Sequence, residues 1–340
     1  MIQELNNDQR REMINSRQRF AAWRAAAARL AGYKGSMVWA QSKGITYLRR
    51  SYYEGRQGTR RHTSLGPRSA ATEKQKADFE QGRREARARF KELREALDRQ
   101  ASINRAIGLG RIPLIAARIL RALDDVDLLG NGLRVIGTNA IRAYEAAAGV
   151  FVDAEIAATE DLDLLIDARA EVRFVATGDF PARNLMNVLR RVDHSFVKER
   201  QNFRASNRDG YLVDLVEPLR HPPRQRQAAT IGTDRDDLDA VEIEGLVWLE
   251  NAPSFEAVVI DDRGAPARMV VPDPRVFAAH KLWLSKRPDR DPLQRRRDAA
   301  QAQAVASLVA LHLPHLPYVA SELKLLPLET YNDARSLFAV

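Results

Sequence analysis

The 340-residue sequence contains no cysteine. That excludes a disulfide scaffold, a zinc ribbon, iron–sulfur ligation and thiol catalysis, and it is compatible with a reducing compartment. No uninterrupted apolar run reaches the roughly 18–20 residues that a membrane helix needs, so no membrane partner is expected. The opening MIQELNNDQRREMINSRQRF lacks the apolar stretch of a secretory signal, and a cytoplasmic location is expected. A Walker A loop, a Gly-x-Gly-x-x-Gly fingerprint and a Gly-x-Ser-x-Gly elbow are also missing. Gly108-Leu109-Gly110 runs into Pro113 and completes none of them. His312-Leu313-Pro314-His315 is interrupted by its proline and has no further ligand beside it, so a metal pair is not expected there.

Hydrophobic residues make up 45% and charged residues 29%, a composition that can build a packed core. The charge is distributed unevenly. Residues 1–100 hold 23 Lys and Arg against 11 Asp and Glu, a net of +12, whereas residues 101–340 carry −3. A basic arm on a mildly acidic body is the simplest reading, and three regions follow: an arm over 1–101, an α+β body over 102–275 and a helical region over 276–340.

In the arm, Phe20, Trp23, Ala27 and Leu30 recur at helical spacing and predict a helix over 4–31. Met37–Trp39 and Ile45–Leu48 flank the turn-prone Gln41-Ser42-Lys43-Gly44 and predict a hairpin, followed by a third strand over 60–65 and a long charged helix over 72–100. Lys43, Arg49, Arg50, Arg56, Arg60, Arg61 and Arg68 alternate there with Trp39, Tyr47, Tyr52 and Tyr53. Cations and aromatics on a small sheet suit phosphates and stacked bases, with Arg49, Arg50, Arg60 and Arg61 as the contact candidates; protein docking or a dimer contact is the alternative.

The body reads as a helix over 113–129, a strand Leu133–Thr138, a helix over 139–148, a strand Asp161–Asp167, a helix over 183–192 and strands near 195–198, 203–206 and 211–217. A polar excursion over 220–240 comes next. Strands are then expected at 246–249, 257–260 and 268–271, and helices after Pro274 and over 292–313. This order suits an α+β domain with a mixed sheet.

Three features fall in the order that phosphate chemistry needs. The strand ending in Gly137-Thr138 passes directly into a helix, which points backbone N–H groups and a hydroxyl at a positive helix end. Gly137 leaves room for close approach of the backbone to a phosphate. Asp161 and Asp163, two apart on a strand, share one face. Asp214 lies within the apolar strand Leu212-Val213-Asp214-Leu215-Val216, where an acid needs a cation or a donor. Three carboxylates beside a phosphate loop suit Mg²⁺ or Mn²⁺, a hard ion that binds carboxylates together with substrate phosphates.

Gly137-Thr138, then Asp161-Leu162-Asp163, then Asp214 resembles the nucleotidyltransferase superfamily pattern of Gly-Gly/Ser, Asp-h-Asp and a third acid. The segments VIGTNAIRAYEAAAGV, ATEDLDLLID, NRDGYLVDLVEP and PDPRVFAAHKLWL are similar to a bacterial family of nucleotidyltransferase-fold proteins, and to abortive-infection-type nucleotidyltransferase toxins. The resemblance implies an α+β fold, a nucleotidyltransferase-like mixed β-sheet with flanking helices, here carrying an N-terminal helix/hairpin arm and a C-terminal helical region. It implies metal-dependent transfer of a nucleoside monophosphate from an NTP, with Asp161, Asp163 and Asp214 as metal ligands and Asp214 as a candidate base. Gly137, Thr138 and Lys281 would hold the triphosphate, with Arg290, Arg297 and Asp298 in support. RNA, tRNA first, is the expected acceptor; a protein side chain or small hydroxylated molecule is the alternative, as is a non-catalytic nucleic-acid-binding module.

Overall fold

The computed structural model describes residues 2–54, 59–167, 184–220, 229, 231 and 236–339. Arg56, Arg183 and most of the 220–240 excursion lie outside the described residues. The chain forms two compact units, one of residues 11–106 and one of Met1–Arg10 with Ile107–Val340. No helix among the described residues is long and apolar enough to cross a membrane.

A short strand β1 (Ile2–Glu4) belongs to the larger unit; helix α1 (Asn7–Ala31) then leads into the smaller one. There, β2 (Ser36–Ser42), β3 (Ile45–Glu54) and β4 (Thr59–Pro67) form an antiparallel sheet in the order β2-β3-β4, and α2 (Ala70–Ala106) follows. Lys43 and Gly44 turn the hairpin with φ of 52° and 79°, the positive pair that a tight two-residue turn requires. The two helices run antiparallel. Trp23 packs on Phe90, while Ser16 and Asn104, both buried, exchange hydrogen bonds.

The larger unit continues with α3 (Leu114–Asp125), β5 (Leu133–Ile136), α4 (Ala140–Ala148), β6 (Val150–Val152), α5 (Ala154–Ala157) and β7 (Asp161–Ile166). After these come α6 (Leu185–Val192), β8 (Val197–Lys198), β9 (Arg204–Ser206), β10 (Leu212–Pro218), β11 (Val241–Ile243) and α7 (Leu246–Asn251). The chain ends with β12 (Ser254–Ile260), β13 (Pro266–Pro272), α8 (Pro274–Lys286), α9 (Pro292–His312) and α10 (Leu328–Arg335). The central sheet has the order β5-β7-β10-β9-β8, with β11 joined to the far end of β10. The β7–β10 and β10–β11 pairs are parallel and the others antiparallel, so the sheet is mixed and the fold is α+β.

Strand alternation divides this sheet into two faces. Leu162, Leu164, Val213 and Leu215 are completely buried in the main core, with α3, α4 and α6. The opposite face is apolar at one end, where Leu165 and Val216 pack with α7 and α8, and acidic at the other, where Asp161, Asp163 and Asp214 stand. The three acids thus stand on the face opposite the main core, beyond the end that α7 and α8 cover.

Two local expectations change. Leu246–Leu249 forms helix α7 instead of a strand, with Leu246 and Leu249 buried one turn apart and Gly245 in the left-handed region at φ 84°. The pairings β1–β6 and β10–β11 were not anticipated, because both involve strands of only three residues.

Candidate functional site

A cleft of about 390 Å³ opens over the acidic end of the sheet. Register builds its floor. Asp163 pairs with Ile136 of β5 on one side and with Asp214 of β10 on the other, and Asp214 in turn stands opposite Arg204 of β9. These four residues form one transverse row, with Asp161 two positions before Asp163 on the same face. The sequence-predicted acids are therefore brought together by strand pairing, not by a loop.

Gly137 sits at the end of β5 with φ 63°, and a Cβ at that position would strike the Asp163 carboxylate. The glycine serves two needs: a left-handed backbone and close approach of the turn to the acid. Beyond it, the N–H groups of Ala140, Ile141 and Arg142 are spent on the carbonyls of Gly137, Thr138 and Asn139. The Thr138 hydroxyl accepts from Gln301 Nε2 at 3.1 Å and Arg297 Nη2 at 3.3 Å, both from α9. Asn139 donates to the Asp161 carbonyl, and Thr159 donates to the Asp161 carboxylate.

Electrostatics mark Asp163 as the uncompensated group. Its carboxyl is pushed up to about 7, first by burial and then by Asp161 and Asp214, against the opposing pull of Lys281 and Arg204. A carboxylate crowded by two others is a site that a cation would stabilise. Arg204 already supplies one charge: Nε and Nη2 donate to the two oxygens of Asp214 at 2.7 and 2.6 Å.

Lys281 is in the cleft wall but 7% exposed, and it donates to Asp298 at 2.8 Å. Burial lowers its pKa and Asp298 opposes that shift. Arg290 donates to the other oxygen of Asp298, so one buried aspartate serves two cations. Arg297, in contrast, reaches the Gly137-Thr138 turn itself. His280, one residue before Lys281, is buried between Trp248 and Trp283, with neither ring nitrogen hydrogen-bonded among the described residues. Burial pushes its pKa down to about 3, which keeps it neutral.

The residues fit a hard divalent ion in charge and donor type, since Asp161 and Asp163 offer carboxylate oxygens beside a turn from which a Cβ is excluded. The fit at Asp214 is conditional on Arg204. Among the described residues, no three acidic or histidine side chains are already drawn into an ion-holding group. Both oxygens of the third acid accept from the Arg204 guanidinium.

A family model described as nucleotidyltransferase matches residues 115–326, more than half of the chain and all of the cleft. The chain belongs to the nucleotidyltransferase family. No curated protein and no solved structure matches it. Membership implies nucleotidyl transfer with an NTP as substrate.

The four candidate arginines of the arm are divided between two faces of its sheet. On β3, Leu48 is fully buried and Arg50 stacks on Phe79 of α2 at 5.4 Å, while its Nη2 donates to the Gly32 carbonyl at 2.9 Å. Arg61, opposite Tyr52, shares that face. Tyr47, Arg49 and Tyr53 take the other face; Arg60 stands opposite Tyr53, and its Nε donates to Ser51 at 2.8 Å. Tyr53 is 65% exposed there.

Arg204 escaped the sequence reading. Its only signal is an arginine in a short polar strand whose pairing with β10 no local pattern reveals.

Proposed function

We propose that this nucleotidyltransferase carries out metal-dependent transfer of a nucleoside monophosphate from an NTP to RNA, with tRNA the first acceptor to test. The row of Asp163 and Asp214, with Asp161 beside it and the Gly137-Thr138 turn above, carries the reading. Asp161 and Asp163 would hold the ion, with Asp214 joining them. When bound, Mg²⁺ or Mn²⁺ supplies charge neutralisation for the triphosphate and lowers the pKa of an attacking hydroxyl.

The chain's own residues do the positioning. The Gly137-Thr138 turn, with Arg297 behind its hydroxyl, presents the phosphate-binding side, and Lys281 and Arg290 add positive potential damped by Asp298. The acceptor hydroxyl attacks the α-phosphorus; the new P–O bond forms as the bond to the β-phosphate bridging oxygen breaks, and pyrophosphate leaves. Asp214 is placed to take the hydroxyl proton once its hold on Arg204 is loosened.

RNA is favoured as acceptor by the +12 charge of residues 1–100 and by a sheet face that combines Arg49 and Arg60 with Tyr47 and Tyr53. The test is incubation with each of the four α-labelled NTPs, Mg²⁺ or Mn²⁺, and total RNA or lysate, alongside Asp163→Asn. Label in RNA that the variant fails to transfer supports the reading. Label in protein moves the acceptor, and no label with any NTP overturns the enzyme assignment in favour of a binding module.

A further inference from the structure

Arg204 stands at the end of the acidic row, and its position is set by backbone pairing: it faces Asp214 directly across the β9–β10 ladder. Its planar fork matches the carboxylate in the bidentate way that an ammonium cannot. The Asp214 side chain is 9% exposed, whereas that of Arg204 is 30% exposed. The acid is therefore fixed in the floor while the guanidinium reaches the edge. The Asp214 bond and the charges of Asp161 and Asp163 all hold Arg204 protonated, so it answers to the whole acidic cluster.

The other nearby cations cannot replace it. Lys281 and Arg290 both donate to Asp298, and Arg297 is bound to the Thr138 hydroxyl and the Ala158 carbonyl. Without Arg204 the floor would hold three crowded carboxylates with no directly bonded cation.

We propose that Arg204 is the built-in counter-ion of the acidic row, which the divalent ion must displace from Asp214, so that Arg204 sets the metal affinity of the site. The inference rests on the carboxylate-site reading given above. Arg204 is a positioning residue: it holds Asp214 in place while no metal is bound and competes with metal for the same two oxygens. A merely structural arginine would do the opposite, because losing it would misplace Asp214 and weaken ion binding.

The two signs are separable without any activity assay. Full-length wild type, Arg204→Met, Arg204→Lys and Asp163→Asn are titrated with Mn²⁺ alone, reading melting temperature and the free-ion signal in electron paramagnetic resonance. With chelator present, Arg204→Met is expected to melt below wild type. Its half-saturating Mn²⁺ concentration is expected to be lower by about tenfold, the size of effect that loss of one charge-assisted bidentate pair produces. Arg204→Lys, which keeps the charge and loses the fork, should fall between them. Arg204→Met that needs as much Mn²⁺ as wild type, or more, overturns the inference.

If Arg204→Met folds only in the presence of Mn²⁺, that result supports the inference, and the Lys variant then supplies the titration. A Lys variant that binds Mn²⁺ no more tightly than wild type overturns it. Wild type that binds no Mn²⁺, or Asp163→Asn that binds as wild type does, removes the carboxylate site and the inference with it. Wild-type binding lost in Asp163→Asn but unchanged in both Arg204 variants removes the inference alone.

Discussion

Gly137 and Asp163 are so close that a single methyl group on the glycine would collide with a carboxylate oxygen of the aspartate. The glycine's φ of 63° adds a second penalty for any side chain, about 1–2 kcal/mol for a left-handed residue other than glycine. Gly137→Ala is therefore expected to lower the melting temperature and to abolish the further rise that NTP with Mn²⁺ produces in wild type. Thermal melts with and without the pair check this. An alanine variant that keeps the full ligand-induced rise would show that the turn does not frame the site.

Asp163 gives the apo protein a pH dependence of defined sign. Its folded-state pKa of about 7 lies above the ordinary carboxylate value, so folding favours the protonated form. That contribution to stability is complete below about pH 4 and is lost as pH rises through about 7. Asp163→Asn, which mimics the protonated acid, should melt increasingly above wild type as pH is raised from 5 to 8 in chelator. Adding Mn²⁺ should reverse the order at pH 8, since only wild type gains a ligand. A difference between the two proteins that is flat across this range would contradict the crowding of the three acids.

Asp298 and Lys281 should respond unequally to removal. Lys281→Met replaces a buried ammonium by an apolar chain of similar length and leaves Asp298 bonded to Arg290. Asp298→Ala leaves two cations unpaired, one of them buried, and breaking such a pair costs about 3–5 kcal/mol. Chemical denaturation should rank Asp298→Ala far below Lys281→Met in stability. In NTP titrations Arg297→Met should lose more affinity than Lys281→Met, because Arg297 is the cation bonded at the Thr138 turn.

What was legible in the sequence is what strand and turn chemistry write locally. Asp161 and Asp163 share a face because alternation requires it, and Leu162 and Leu164 confirm the register by filling the core. Gly137 was legible as a glycine that a phosphate turn needs, although its nearest neighbour is an acid of the same site. Leu246–Leu249 was ambiguous in principle, since four consecutive apolar residues satisfy a buried strand and one turn of helix equally. Arg204, Gln301 and the sharing of Asp298 were not legible, because each depends on residues brought together by pairing or packing across many positions. The arm showed its charge and its hairpin in the sequence, but not which arginines the helix would claim.

That division of the arm gives the last prediction. Arg49 and Arg60 share the sheet face of Tyr47 and Tyr53, whereas Arg50 bonds the Gly32 carbonyl and stacks on Phe79. If the face with Tyr47 and Tyr53 grips RNA, Arg49→Ala with Arg60→Ala should weaken RNA binding while leaving NTP binding close to wild type, with a small drop in melting temperature from the lost Arg60–Ser51 hydrogen bond. The slope of log affinity against log salt should flatten by about 0.7 for each single-strand phosphate that the variant no longer neutralises. Arg50→Ala should behave in the reverse way, lowering stability by removing a hydrogen bond and the stacking on Phe79, with little change in salt slope. Tyr53→Ala should reduce affinity without altering the slope, since stacking releases no counterions. Fluorescence titrations of a labelled single-stranded RNA at several salt concentrations, with melts of the same variants, read these effects. A double variant whose curves overlie those of wild type would exclude this face from RNA contact and favour a protein or small-molecule acceptor.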